Sequence, residues 1–398
     1  MSTPARHVTA DVLVIGGGVI GLGIAWRAAQ RGFQVIAADP APGQGASRAA
    51  AGMLTPIAEA AYAERELFAL GQDSLRRYPA FTAELTELTG RPTGFRPSGT
   101  LQVGYDCDDM AVIEEFRILQ ESFGVHPEPL TGRECRDAEP MLDPAVRGGL
   151  LAADDGSVDP RLLVSALLAA AEQAGVRLIR QAAAEITMSR DRAGGGTLAD
   201  GTTVSAPWVV LAAGWQSAAV AGLPAGSVPP VRPVKGQILR LRSTPATLAA
   251  GLRPGLLRRT VRGVVRGSTV YLVPRESGEL VVGATQEDLG ADTTVTAGGV
   301  WELLRDARLL VPGITELELA EAVAGLRPGT PDNAPVIGPS QLPGLVLATG
   351  HFRAGVLLTP VTADAICDYL QAERLPPAVI PFAAARFARQ DQEAASWR

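Results

Sequence analysis

Apolar residues follow three different rhythms along this chain. Asp11-Val-Leu-Val-Ile-Gly16 is one uninterrupted apolar run, the pattern of a strand buried on both faces of a parallel sheet. Residues 20–31 carry apolar side chains at helical spacing up to Gly32, and Phe33-Gln-Val-Ile-Ala-Ala-Asp39 reads as a second buried strand. Together they predict a β-α-β unit at the N-terminus. Pro207-Trp-Val-Val-Leu-Ala-Ala-Gly214 and Gly344-Leu-Val-Leu-Ala-Thr-Gly350 repeat the pattern of an apolar strand ending in glycine. They are assigned to the same sheet, so the domain built on it is discontinuous. Residues 99–104 and 232–283, including Val270-Tyr-Leu-Val-Pro274 and Leu280-Val-Val-Gly283, read as strands broken by turn residues at short intervals. They predict a separate, mainly antiparallel sheet inserted into the first domain. Residues 160–175 and 296–310 read as helices, the second capped by Thr296, and Gly194-Gly195-Gly196 reads as a hairpin loop. The expected fold class is α/β. Residues 8–90, 146–227 and 333–375 form the first domain, 91–145 and 228–332 the second, and 376–398 a C-terminal tail.

Composition narrows the picture. At about 100–200 residues per folding unit, 398 residues make two or three compact units. With 46% apolar and 20% charged residues, 44 glycines and 30 prolines, the chain is neither disordered, nor collagenous, nor a disulfide miniprotein. Lys plus Arg 36 against Asp plus Glu 42 gives a net charge of −6 without a like-charge block. Nucleic acid and anionic membrane are therefore not expected partners, and a small molecule is. Lys235 is the only lysine, which is read as compositional bias toward arginine. The cluster Arg253, Arg258, Arg259, Arg262 and Arg266 is read as a solvated face or subunit contact. Cys107, Cys135 and Cys367 are odd in number and lack C-x-x-C spacing, so neither a disulfide framework nor a zinc site is expected. A reducing, cytoplasmic compartment fits. Residues 12–26 could pass for a secretory segment, but five glycines interrupt them and they are too short to span a bilayer. No G-x-S-x-G, P-loop or H-E-x-x-H motif occurs, His7, His126 and His351 are scattered, and no metal is expected.

Gly16-Gly17-Gly18-Val19-Ile20-Gly21 matches G-x-G-x-x-G in the context that gives the motif meaning: a strand before it, a helix after it, and Asp39 closing the next strand. Gly16 permits the tight turn, Gly18 lets a pyrophosphate approach the backbone, and Gly21 lets helix pack on sheet. The helix N-terminus offers free N–H groups to the anion, and Asp39 would accept hydrogen bonds from an adenosine ribose. The motif alone does not separate NAD from FAD. Ser47-Arg48-Ala49-Ala50-Ala51-Gly52-Met53 follows as a small, flexible loop that would let a bulky ring system approach, and an ordinary turn into a helix reads equally well.

Here the sequence resembles the D-amino-acid oxidase superfamily of flavoproteins and, within it, the glycine oxidases of thiamine biosynthesis. The resemblance spans nearly the whole chain. It rests on Val14-Ile-Gly-Gly-Gly-Val-Ile-Gly21, Ala49-Ala-Ala-Gly-Met53, Asp155-Gly-Ser-Val-Asp-Pro160, Tyr271-Leu-Val-Pro-Arg275, Val282-Gly-Ala-Thr285, Gly325-Leu-Arg-Pro328 and Thr349-Gly-His-Phe-Arg-Ala-Gly355. It implies a Rossmann-like FAD-binding domain with an inserted, mainly antiparallel β substrate domain. FAD would be bound noncovalently, with its isoalloxazine at the junction of the two. The cofactor-binding residues implied are Gly16, Gly18, Val19, Ile20, Gly21, Asp39, Ser47, Arg48, Ala50, Ala51, Gly52, Met53, Ala184, Gly214, Trp215, His351, Arg353, Ala354, Gly355, Val356 and Leu357. Backbone N–H groups at 353–357, opening a helix, would stabilise charge at the N1 and C2 carbonyl end of the flavin.

The resemblance also assigns the catalytic and substrate-binding residues Tyr271, Arg327 and Arg353. Arg327 is the substrate-carboxylate arginine, with a fork that matches a carboxylate bidentately. From the residues alone it reads instead as an ion pair with Asp332, and Tyr271 as core. Oxidation of an α-amino acid by flavin requires orientation of the Cα–H toward flavin N5 with a neutral amine, and no protein base. His351 reads as a hydrogen-bonded core histidine. Phe352 and Ala354 stand where glycine oxidases have tyrosine and asparagine, and Asp39 where many such flavoproteins have glutamate.

The implied activity is oxidative deamination of glycine to the imine and glyoxylate, with dioxygen reduced to hydrogen peroxide. The implied partners are further copies of the chain, as a tetramer, and a thiazole synthase receiving the imine. The alternatives within the fold are a D-amino acid or sarcosine oxidase and a dehydrogenase reducing a quinone. Outside it they are a nonenzymatic flavin-binding protein and a pyridine-nucleotide dehydrogenase.

Overall fold

The structure is a computed structural model that describes residues 6–249 and 251–387. At its centre lies a six-stranded sheet in the order Val336–Pro339, Leu345–Thr349, Trp208–Leu211, Val12–Ile15, Val35–Ala38, Arg177–Ile179. Its neighbouring pairs are parallel except for the antiparallel pair formed by Val336–Pro339 and Leu345–Thr349. The uninterrupted apolar runs follow from period-2 alternation into two different cores. Val12, Val14, Val35 and Ala37 pack on one side against the helices Val19–Gln30, Arg65–Thr89, Pro160–Gln173 and Thr359–Ala372. Leu13, Ile15, Ile36 and Ala38 pack on the other, under a four-stranded sheet that includes Arg192–Leu198 and Thr203–Ser205. The fold has no solvated sheet face here, so no polar alternation is needed.

A second, eight-stranded sheet has the order Glu318–Gly329, Arg232–Arg242, Glu279–Gly283, Ser268–Pro274, Thr260–Val265, Thr100–Gly104, Gly148–Ala152, Glu128–Thr131. It is antiparallel except where Thr260–Val265 pairs with Thr100–Gly104. Leu239, Leu241, Leu272 and Val282 from this sheet meet Leu303, Ala307 and Leu310 of the helix Ala297–Leu310 in a core of their own. That helix begins where expected, with the Thr296 hydroxyl accepting from the Gly299 amide. Asp159 caps Pro160–Gln173 in the same way.

Two expectations are corrected. Residues 146–152 were placed with the first domain, yet Gly148–Ala152 is an interior strand of the eight-stranded sheet, bonded on both edges. Gly194-Gly195-Gly196 is not a hairpin loop but the middle of the strand Arg192–Leu198. Glycines stand there because neighbouring backbone is too close for a side chain: a Cβ on Gly195 would lie 1.8 Å from the Val204 carbonyl oxygen. The C-terminal tail expected from residue 376 packs on the first domain over its described part, where Val379 and Phe382 are buried in the helix-side core. Arg386 closes it with an ion pair to Asp332 at 2.7 Å. Residues 388–398 of that expected tail lie outside the described residues.

Among the described residues no helix is long and apolar enough to cross a membrane. No group of three or more His, Cys, Asp or Glu side chains among them is placed to hold a metal.

The close backbone contact at Gly195 is testable. Its φ of +143° and the steric overlap predict that Gly195→Ala lowers stability in urea by about 2–4 kcal/mol. Gly201→Ala, at φ +83° with nothing within 4 Å of the new Cβ, should cost only about 1 kcal/mol.

Candidate active site

A cavity of about 720 Å³ opens between the two sheets at the carboxyl ends of the parallel strands, where open α/β sheets bind ligands. Its first part is the glycine turn. Gly16 has φ +113°, and a Cβ there would lie 2.3 Å from the Ala212 carbonyl oxygen. The Gly17 amide donates to Asp39 Oδ2 at 2.6 Å and the Val19 amide to Ser47 Oγ at 3.1 Å. The amides of Gly18 and Ile20, both cavity-lining, have no acceptor among the described residues. Unmet N–H groups at a helix N-terminus form an anion cradle. Gly21 does not line the cavity: its missing Cβ would sit 1.9 Å from the Gly16 carbonyl oxygen, so it serves the close helix–sheet packing. Asp39, Ala184, Gly214 and Trp215 line the same end.

The loop after the second strand contributes Ser47, Ala50, Ala51, Gly52 and Met53 to the wall. Gly52 has φ +73°, and a Cβ there would lie 2.1 Å from the Val158 carbonyl oxygen. Arg48 is a correction. Ser47 faces the cavity, and the next residue of the turn Ala46–Ala49 projects about 100° further round. The Arg48 guanidinium therefore meets Glu321 at 3.1 Å instead of lining the cavity.

The opposite end is built by residues 349–358. His351, Phe352, Arg353, Gly355 and Val356 line the cavity, whereas Ala354 and Leu357 face a separate small cleft. Instead of a helix opening at 353, a three-residue 3-10 turn, Phe352–Ala354, precedes the α-helix starting at Thr359. Tyr78 and Ser74 hydroxyls donate to the carbonyls of Val356 and Leu357. The amides of Gly355, Val356 and Leu357 have no acceptor among the described residues. Two sets of unmet amides in one cavity, at Gly18 and Ile20 and at Gly355 and Val356, fit a dinucleotide with an anionic middle and an electron-accepting ring. Phe352 lines the cavity with an apolar ring that carries no hydroxyl, and Ala354 falls outside the cavity, so its lack of an amide does not change the wall. His351 Nε2 lies 3.1 Å from Thr362 Oγ1. Burial lowers its pKa to about 3, so the ring is neutral and structural.

The remaining wall carries the charged groups. Arg327 Nη1 donates to the carbonyls of Lys235 at 3.3 Å and Thr285 at 3.2 Å. No carboxylate lies within ion-pair distance of it among the described residues, and Asp332, the alternative partner, is taken by Arg386. Tyr271 faces the same space, and burial raises its pKa, so its hydroxyl stays a donor. Both side chains rest on glycine. A Cβ on Gly236 would lie 2.3 Å from both Arg327 Nη atoms, and one on Gly283 2.4 Å from the Tyr271 hydroxyl. Arg353 pairs with Glu64 at the cavity mouth.

Arg262, read from sequence as a solvated arginine, lines the cavity instead. It lies directly across from Tyr271 in the strand register and 2.9 Å from Glu59. Glu59 was missed because nothing in Pro56-Ile-Ala-Glu59 marks a site. Its placement comes from afar: Asp155 accepts the amides of Ile57 and Ala58, and Gln102 and Gln120 donate to their carbonyls. Arg262 carried one signal, a charge at an inward position of an otherwise apolar strand.

Fold and cavity together define a dinucleotide-dependent oxidoreductase. Which one follows from comparison: residues 11–369 match the FAD dependent oxidoreductase family, and the chain belongs to it. FAD is therefore the cofactor that the two sets of amides would hold. The chain is 34% identical over 384 residues to the bifunctional protein ThiO/ThiG of Trichormus variabilis, across 96% of this chain and 56% of that protein. It spans about half the length of the bifunctional relatives it matches. It is 32% identical to the glycine oxidase of Geobacillus kaustophilus, across 94% of this chain and 97% of that protein. The crystal structure of glycine oxidase from that organism superposes with a TM-score of 0.84, covering 95% of this chain and 98% of the other. The hydrogen cyanide synthase subunit HcnC of Pseudomonas aeruginosa is 30% identical, across 95% of this chain and 96% of that protein.

Two expectations follow from this geometry. In Gly236→Ala the new methyl meets only the end of a flexible side chain, so the protein should fold and retain FAD while the Arg327 guanidinium is displaced. Carboxylate affinity, read from the visible flavin spectrum on titration with acetate, should fall about tenfold or more. For His351 the folded pKa lies below the ordinary 6.5, so between pH 3 and 6.5 the unfolded chain binds the extra proton and stability falls as pH drops. Going from pH 7.5 to 5 should cost about 2 kcal/mol through this residue. His351→Gln should show a shallower loss in urea unfolding.

Proposed function

We propose that this protein oxidises glycine to its imine, which is released to water as glyoxylate and ammonia or handed to a thiazole synthase. The observation that carries the reading is the unpaired Arg327 guanidinium beside the Tyr271 hydroxyl, in the same cavity as the nucleotide cradle. Both groups donate hydrogen bonds and neither is neutralised, so they suit a carboxylate. When bound, FAD supplies the two-electron acceptor for the hydride leaving Cα and passes the electrons to dioxygen as hydrogen peroxide. Arg327 and Tyr271 fix the carboxylate and thereby aim Cα. Phe352 gives the site an apolar ring that helps exclude water, and the amides of Gly355 and Val356 offer donors to developing negative charge. No side chain is required as a base, and His351, neutral and bonded to Thr362, is not placed as one.

Glycine is favoured over larger amino acids by the Glu59–Arg262 pair, whose two long side chains take up the wall beside Tyr271. The names of the glycine oxidase and ThiO/ThiG relatives support the same substrate and a place in thiazole formation. A cytoplasmic homotetramer is part of the proposal, and size-exclusion chromatography with light scattering tests it.

The decisive experiment records the flavin spectrum without oxygen before and after glycine, D-alanine and sarcosine. Glycine should bleach it fastest; bleaching by the larger amines alone would replace the reading with a D-amino acid or sarcosine oxidase. Arg327→Ala should keep FAD and raise the glycine KM about a hundredfold, and an unchanged KM would remove Arg327 from the clamp. Arg262→Ala should raise the D-alanine to glycine ratio of kcat/KM by about tenfold.

A further inference from the structure

Arg327 is aimed by two backbone carbonyls, those of Lys235 and Thr285, which belong to different segments. Lys235 lies on the strand Arg232–Arg242, whereas Thr285 follows the end of the strand Glu279–Gly283 and is held by no regular ladder. Something must keep the two carbonyls side by side. Lys235 and Glu287 form an isolated antiparallel bridge, with amide-to-carbonyl distances of 2.9 and 3.0 Å. Around it the Glu287 carboxylate accepts Gln237 Nε2 at 2.7 Å and the Thr285 hydroxyl at 2.5 Å, and lies 3.3 Å from Lys235 Nζ. Nζ also meets Asp292 at 2.6 Å. The Thr285 hydroxyl in turn accepts the Gln237 amide at 2.9 Å. None of Lys235, Glu287 and Asp292 lines the cavity.

The choice of lysine is informative. Of 36 basic residues Lys235 is the only lysine, in a chain whose composition otherwise replaces lysine by arginine. Its side chain is 0% exposed and ends between two carboxylates. A compact ammonium with three donors fits that point, whereas a planar guanidinium needs a wider slot.

We propose that Glu287 and Lys235 are positioning residues: their ion pair locks the carbonyls of Thr285 and Lys235 and through them aims the Arg327 guanidinium at the substrate carboxylate. This rests on the reading of Arg327 as the carboxylate clamp. Loss of the pair therefore acts on binding of the carboxylate rather than on the chemistry that follows.

The test uses FAD-loaded protein and two readouts: acetate affinity from the flavin spectrum without turnover, and kcat and KM for glycine. Glu287→Gln and Lys235→Met should each weaken acetate binding and raise the glycine KM about tenfold, with kcat within about twofold and FAD content unchanged. In an Arg327→Ala background Glu287→Gln should add no further loss. Lys235→Arg should not restore binding. Should Glu287→Gln not yield loaded protein, Asp292→Asn removes the second partner of the same ammonium from a partly exposed position and should weaken acetate about threefold. Acetate affinity within about twofold of wild type in these variants, or equal losses with and without Arg327, overturns the proposal. Arg327→Ala binding acetate as tightly as wild type would instead remove the clamp itself, and the positioning role with it.

Discussion

The cavity works only while two sheets hold a fixed separation, and the contact that enforces this is a buried guanidinium bonded to backbone. Arg275, 5% exposed, ends the strand Ser268–Pro274 and reaches across to the nucleotide side. Its Nη1 donates to the Val158 carbonyl at 2.9 Å and its Nη2 to the Ala51 carbonyl, and Asp159 lies 3.8 Å from its Nε. Burial lowers its pKa to about 10, so it keeps its charge at neutral pH. Only a planar fork can reach two carbonyls and a carboxylate at once. Ala51 belongs to the cofactor-side loop, and Tyr271 lies on the strand that Arg275 ends. One strand thus leads into the tie between sheets and carries Tyr271, half of the proposed carboxylate clamp.

The seam around that tie is dense. A Cβ on Gly325 would lie 2.5 Å from Ala49 Cβ, so the strand that carries Arg327 runs directly against the turn Ala46–Ala49. Glu321 on the same strand meets Arg48 at 3.1 Å, Arg161 at 2.6 Å and Arg240 at 3.7 Å. Burial opposes its charge, but the arginines outweigh it and hold its pKa below the ordinary range. Such bonds are individually worth about 0.5–1.5 kcal/mol, and leaving one partner buried and unmet costs about 1–3 kcal/mol. The seam therefore resists sliding more than its net stability suggests. That is what a hydride transfer needs, because a misplacement of about 1 Å is costly in rate.

What could be read from the sequence was whatever local pattern determines. Asp11-Val-Leu-Val-Ile-Gly16 announces a strand buried on both faces because each of Val12, Leu13, Val14 and Ile15 packs into one core or the other. The glycine turn, Asp39, Tyr271 and Arg327 were legible through motif and resemblance, and they line one cavity. Features set by distant backbone were not legible. Gly194-Gly195-Gly196 looks like a loop until Val204 is seen against it, and Arg48 looks like a cofactor residue until Glu321 is. Glu59 is placed by Asp155, Gln102 and Gln120, none of which is near it in the chain. Gly148–Ala152 joins the eight-stranded sheet because of partners on both edges, which its own composition does not name.

Charge pairing supports the proposed docking of a substrate carboxylate on Arg327. Three guanidiniums line the cavity, and two already hold a carboxylate: Arg262 with Glu59 and Arg353 with Glu64. A substrate that docked on either would displace an internal carboxylate and leave it partly buried without a partner. Desolvation already raises the pKa of Glu64 even with Arg353 beside it, so that displacement is unfavourable. Arg327 donates only to neutral carbonyls, and a carboxylate arriving there gains a charge-assisted pair without breaking one. On the proposed reading the paired arginines do not compete with Arg327; their glutamates make the rest of the wall unattractive to the same anion and would leave one orientation for a small amino acid.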